Sequence, residues 1–303
     1  MAVVRSLKRT LSILAEQPVL FVPLLLLGAL QAPSYLANTL DPIVSAAVSL
    51  GMTVVYLFVT PFFHGGLIGM ANDAAAGDRT SLDRFLTVGR ERYLSLLGAY
   101  ALVYAVATAL GVAITIAVFL AFLAYSAAGG GIAVAVGAAI VPLLLIAVYL
   151  AVMAAVSFYG HAIVIEDHGA IDGIKRSVAV VRANLAAVVG YLLVALVGGG
   201  LVGAAAAAVS LLAFPTATAP DAAPGAVDPT LAAVGVVGIV AATALLGGFL
   251  LVFSVVFYRD LVGAGSTEDR EGADGRPASG TAWGDDAGTG GAEGDGAAGR
   301  SAD

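Results

Sequence analysis

Residues 93–125 read YLSLLGAYALVYAVATALGVAITIAVFLAFLAY, thirty-three residues without one charged side chain. A helix needs about 20 apolar residues to cross the ~30 Å hydrocarbon core of a bilayer, so this stretch spans with residues to spare. On either side lie five more stretches of the same kind, roughly residues 19–37, 43–71, 132–165, 185–214 and 231–257. Composition agrees. Of 303 residues, 60% are apolar and 12% are Asp, Glu, Lys or Arg, with a mean hydropathy of +0.98. An average soluble domain is about 25% charged, and so few charges cannot cover a water-facing surface. The chain is therefore read as all-α, a polytopic six-helix transmembrane bundle. It has no cysteine, which excludes disulfides and thiolate chemistry.

Charge is distributed as a membrane topology requires. Arg5, Lys8 and Arg9 precede the first span; Arg79, Arg84, Arg90 and Arg92 lie between the second and third; Lys175, Arg176 and Arg182 lie between the fourth and fifth; Arg259, Arg270, Arg276 and Arg300 follow the sixth. These are all fourteen basic residues, and with six spans they share one side. Basic residues near span ends stay in the cytoplasm, so both termini are expected there, in a multi-pass protein of the cell membrane. The opposite loops carry only Asp41, Asp221 and Asp228. Arg5, Lys8 and Arg9 ahead of an apolar run also have the form of a secretory leader, but no convincing cleavage site follows. Residues 12–17 are read instead as an interfacial helix, with Pro18 at the junction.

Two domains follow. Residues 1–258 form the transmembrane domain. Residues 259–303 carry ten acidic and four basic residues, which is six of the chain's seven net negative charges. This Gly/Ala/Asp-rich segment, with Trp283 as its one aromatic residue, cannot bury enough surface to offset ordering entropy and is expected to be a disordered acidic cytoplasmic tail. No basic patch exists for nucleic acid.

The two inner loops have helical periodicity. Leu82, Phe85, Leu86, Gly89 and Tyr93 recur on one face, with Asp83, Arg84, Arg90 and Glu91 opposite; Thr80 and Asp83 have capping-box spacing. Ile171, Ile174, Val178, Val181 and Leu185 form a second stripe, flanked by Asp172, Lys175, Arg176 and Arg182. Both read as amphipathic elbow helices lying in the interface and continuing into the next span. Arg84, Arg90 and Arg92 are interfacial anchors. Each elbow follows an apolar helix, an acidic exit and a glycine, so the units around Gly77–Arg92 and Gly169–Arg182 look like a parallel repeat offset by about 90 residues.

The spans carry almost no charge, which argues against a proton-coupled pump. Pro23, Pro61 and Pro142 introduce kinks, and Gly65 and Gly66 loosen the second span further. His161, Glu166, Asp167, Lys175, Arg176 and Arg182 form a candidate polar cluster, a structural network or a headgroup or ligand contact. His161 alone is expected to hydrogen-bond between helices. No catalytic residue, metal site or cofactor is assigned, and no Walker A, dinucleotide, metalloprotease or nucleophile-elbow motif is present. Gly199 and Gly203 have small-xxx-small spacing, suited to packing or a homodimer.

The run Gln17-Pro18-Val19-Leu20-Phe21-Val22-Pro23, the stretch from Gly160 through His161, Glu166, Asp167 and His168 to Gly169, then Ile174-Lys175-Arg176-Ser177 and Arg182-Ala183-Asn184, carry a resemblance. They are similar to haloarchaeal multi-spanning membrane proteins of unknown function and, distantly, to the membrane domain fused to some glycerophosphoryl diester phosphodiesterases. Two lysines against twelve arginines match haloarchaeal composition. The resemblance implies a six-helix membrane domain with no known activity, and no catalytic residue carries over. The expected function is non-enzymatic: membrane-organising, partner-assisting or lipid-interacting, with membrane lipids and a homo-oligomer or membrane-protein partner. The alternative is a transporter or permease component for a small or lipid-like substrate.

Overall fold

A computed structural model of the chain describes residues 2–37, 41–213 and 229–274, which are helical throughout apart from short connections. Helix α1 (Ala2–Glu16) is followed by a 3-10 turn (Pro18–Leu20), α2 (Phe21–Ala29) and α3 (Ala32–Ala37). Then come α4 (Pro42–Ala76), the elbow α5 (Leu82–Glu91), α6 (Tyr93–Ala127), α7 (Ile132–Ala155) and the short α8 (Tyr159–Ile165). The second elbow α9 (Ala170–Ala183), α10 (Leu185–Ala213) and α11 (Pro229–Asp274) complete the order. Four spans are long and apolar enough alone: α4, α6, α7 with α8, and residues 233–263 of α11. Two bent pairs bring the number up to six: α1 meets the segment 18–34 at 91°, and α9 meets residues 185–201 at 105°. The right angles separate amphipathic helices, suited to the interface plane, from apolar ones suited to the hydrocarbon.

Local sequence sets the ends of α4. The Asp41 carboxylate accepts from the Ile43 N–H at 2.8 Å, and Pro42 occupies the first helical position, where a missing donor costs nothing. At the other end Gly77 adopts φ +93°, while its N–H reaches the Ala74 carbonyl at 3.1 Å and the Asp78 N–H the Asp73 carbonyl at 3.0 Å. This is a Schellman closure, which a glycine permits. The cap of α5 is Ser81, whose hydroxyl accepts from the Arg84 N–H at 3.2 Å. The Thr80–Asp83 box is therefore not used; extended backbone at Ser81 aims its hydroxyl at the helix start.

The core sits at the elbow end. One cluster joins Ile13 of α1, Leu20, the Leu67–Ala75 region of α4, Phe85 of α5 and Val252, Val255 and Val256 of α11. A second joins Phe158, Ala162, Val180, Val181, Val188, Phe257, Tyr258 and Leu261. Toward the other end, α6 and α7 expose Phe119, Phe122, Ile132, Ile140 and Leu144, an apolar face larger than a monomer in water carries. Helix α4 runs through Pro61 and α7 through Pro142 without interruption. At 1.5 Å per residue α4 is about 52 Å long, against ~30 Å of hydrocarbon. Its residues 65–71, 74 and 75 are buried by protein, so the excess length is absorbed in the elbow body.

Residues 266–303 form a separate unit, described only to Asp274 as the end of α11. Residues 259–274, expected to begin the disordered tail at 259–303, continue α11; the rest of that tail, Trp283 and residues 214–228 of the loop before α11 lie outside the described residues.

Candidate functional site

The elbow end carries a belt of polar links. In the first elbow unit Arg84 Nε donates to Asp73 Oδ2 at 2.8 Å. In the second, Arg176 Nε donates to Glu166 Oε2 at 2.8 Å. Each pair joins the end of a span to the elbow that follows, across 11 residues in one unit and 10 in the other, as a repeated design would place them. The Glu166 carboxylate also accepts from the Tyr258 hydroxyl of α11, and His168 Nε2 stands 3.6 Å away. The units are tied together where Arg92, between α5 and α6, pairs with Asp167. Asp167 is the one non-glycine residue with positive φ among the described residues, at 61°, a conformation Asp tolerates better than most residues.

The last helix is fastened to the same belt. Arg259 Nη1 donates to Asn72 Oδ1 at 2.7 Å and to its carbonyl at 3.0 Å. Ser6 of α1 donates to Asp260 at 2.8 Å, and Arg9 donates to the Ala75 carbonyl at 2.5 Å.

The predicted cluster is therefore divided. Glu166 and Arg176 meet directly. Asp167 turns to the other elbow, Lys175 pairs with Asp172 of its own helix at 3.2 Å, and Arg182 is exposed with no ion pair among the described residues. His161 is not in the belt. It is 3% exposed, and its Nε2 lies 2.9 Å from Ser254 Oγ on α11. The Ser254 hydroxyl donates to the Leu251 carbonyl at 2.7 Å, so its oxygen accepts from His161 Nε2–H, which assigns the tautomer. His161 Nδ1 is then a bare acceptor, buried and without a partner. Of the anchors, Arg84 and Arg92 are paired, while Arg90 is exposed and unpaired among the described residues. Sequence reasoning missed Asn72, Tyr258 and Ser254. The signal for the first two is position: Asn72-Asp73, Glu166-Asp167 and Tyr258-Arg259-Asp260 each mark the elbow end of a span.

Above the belt lies a cavity of about 360 Å³ bounded by α2, α4, α6, α8 and α11. Gln31, Thr60, His64, Tyr100, Tyr159 and Thr243 contribute its polar atoms, amid leucines and glycines. No charged residue lines it. The His64 ring stands edge-on to His161, with centroids 6.5 Å apart, yet His161, Glu166 and Asp167 do not line the cavity. A shared acid–histidine chamber is therefore not formed. Among the described residues no group of three or more His, Asp or Glu gathers as a metal site.

No curated protein and no solved structure matches the chain. One family model does, over residues 1–261, which takes in both elbow units, the polar belt and the closing helix. This is a multi-helix membrane protein, and the chain belongs to the DUF7847 family, a domain of unknown function.

Proposed function

We propose that the protein is a non-enzymatic, lipid-interacting membrane protein whose elbow helices grip headgroups and thereby organise or assist partners in the bilayer. The observation that carries this reading is a matched pair of unspent cations. Arg90 and Arg182 are the basic residues in the last turns of α5 and α9, each one residue before the helix end, exposed and without an acid partner among the described residues. The neighbouring Arg84, Arg92 and Arg176 are neutralised by Asp73, Asp167 and Glu166. Favourable alignment with the helix dipole accounts for part of this placement, but not for free arginines at the same position of both elbow helices.

An arginine near an anionic surface contributes about 1 kcal/mol, close to fivefold in affinity. Protein in nanodiscs of mixed phosphatidylglycerol and phosphatidylcholine, released into native mass spectrometry, is expected to retain the anionic lipid preferentially. R90A/R182A should lose most of that preference, about 25-fold if the two contributions add. Equal retention by wild type and the double variant would remove the basis of this reading.

The same proposal places both termini in the cytoplasm, supported by the one-sided arginines. The exposed α6–α7 hairpin is its surface for lipid, a second copy or a membrane-protein partner. It also includes a haloarchaeal source, supported by scarce lysine, and a distant kinship with phosphodiesterase-linked membrane domains, supported by residues 160–184. The transporter reading is favoured by one observation, the uncharged cavity. It requires passage of a solute across proteoliposomes, where the first reading expects none.

A further inference from the structure

We propose that the cavity between α2, α4 and α11 is a binding site for an uncharged lipid-soluble molecule: an apolar body with a single oxygen-bearing head, hydrogen-bonded by His64 and its neighbours. Five side chains that line it, Thr60, His64, Tyr100, Tyr159 and Thr243, make no hydrogen bond among the described residues. In water this would mean little. In a bilayer the surrounding medium offers no partner, and each unpartnered polar group costs several kcal/mol. Five such groups converging on one space need an occupant with polar atoms of its own.

The lining decides the occupant's chemistry. With no charged side chain present, an ionised head would be desolvated without a counter-charge, so a phosphate or carboxylate is disfavoured. Hydroxyl, phenol and imidazole groups suit an alcohol or carbonyl oxygen, while Leu24, Leu67 and Leu251 suit a hydrocarbon body. The volume of about 360 Å³ falls within the range of small-molecule sites. A larger groove of about 520 Å³ between α6 and α7 is lined only by apolar residues; nothing there distinguishes a ligand from an acyl chain.

Gly247 supplies the test. It lines the cavity, and a Cβ built on it meets nothing within 4 Å, so the side chain of Gly247→Leu starts in open space at the cavity wall and takes volume from an occupant. Gly111, on α6 and also open, is the matched control away from the cavity. The probe is hexadecanol carrying a mid-chain diazirine, photolysed with the purified full-length protein in nanodiscs, and the readout is the labelled peptides. Wild type should be labelled on α2, α4 and α11, with competition by hexadecanol and not by hexadecyl phosphate. G247L should lower labelling about tenfold, while G111L and R90A/R182A leave it unchanged, which separates this site from the elbow arginines. H64L, which keeps the volume and removes the head contact, should weaken the alcohol probe but not a hexadecane diazirine; this arm still reads if G247L does not fold. Labelling that G247L leaves intact, that spreads evenly over α6 and α7, or that the phosphate competes equally, would overturn the assignment, as would a cavity that takes up only water and no probe.

Discussion

Ser177 is fully buried, and its hydroxyl serves both sides of the break between α7 and α8. It donates to the Ala155 carbonyl at 2.8 Å and accepts from the Phe158 N–H at 3.0 Å. Where a helix is interrupted inside a protein, its free backbone groups need partners, and here one side chain from α9 satisfies two of them. Ser177→Ala would leave both unmet at a cost of about 1–3 kcal/mol. A lower unfolding midpoint in detergent is expected, with Ser177→Thr recovering most of the loss; an unchanged midpoint for the alanine variant would show that the break does not depend on this hydroxyl. At this scale little was legible beforehand. Ser177 is one small polar residue within an amphipathic elbow, and a break at residues 156–158 has no composition signal, since Val156, Ser157 and Phe158 sit in an apolar stretch like their neighbours. Glu166 with Arg176 was readable because opposite charges sit 10 residues apart around one turn. Arg92 with Asp167, 75 residues apart, was not, because only tertiary packing brings them together.

Elements were far more legible, because the period of apolar residues reports burial directly. The long spans and both elbows appear where hydropathy and 3.6-residue spacing place them. What sequence could not supply is how an elbow seats. Gly65 and Gly66 read as loosening α4, yet α4 is continuous there, and the glycines instead admit the next elements. A Cβ on Gly66 would lie 2.6 Å from the Phe85 carbonyl oxygen, and one on Gly69 would lie 2.8 Å from Val88. A backbone oxygen cannot swing aside, so Gly66→Ala should shift α5 and destabilise by about 1–3 kcal/mol. Gly111→Ala, into open space, should instead raise stability by up to ~1 kcal/mol through lost unfolded-state entropy. Unfolding midpoints of the two variants in one detergent, moving in opposite directions, check the pair; parallel shifts would show that α5 does not dock through glycine.

For the whole molecule, the proposed sidedness rests on charge and hydropathy together. The chain has no cysteine, so a single cysteine introduced in the 215–230 loop should react with a membrane-impermeant maleimide on intact cells, and one at the C-terminus only after lysis; the same response from both would overturn the one-sided arrangement of arginines. The cavity was nearly invisible in the sequence. Its polar residues form no pattern along the chain, because threonines and tyrosines scattered among leucines carry none until five helices converge. Residues 252–258 of α11 are all buried, and that helix alone supplies Ser254 to His161, Tyr258 to Glu166 and Arg259 to Asn72. Synthesis runs from the N-terminus, so these partners emerge after the residues they fasten. Until α11 is in place, His161, Glu166 and Asn72 lack these partners, so the final seating of the elbow end depends on that helix.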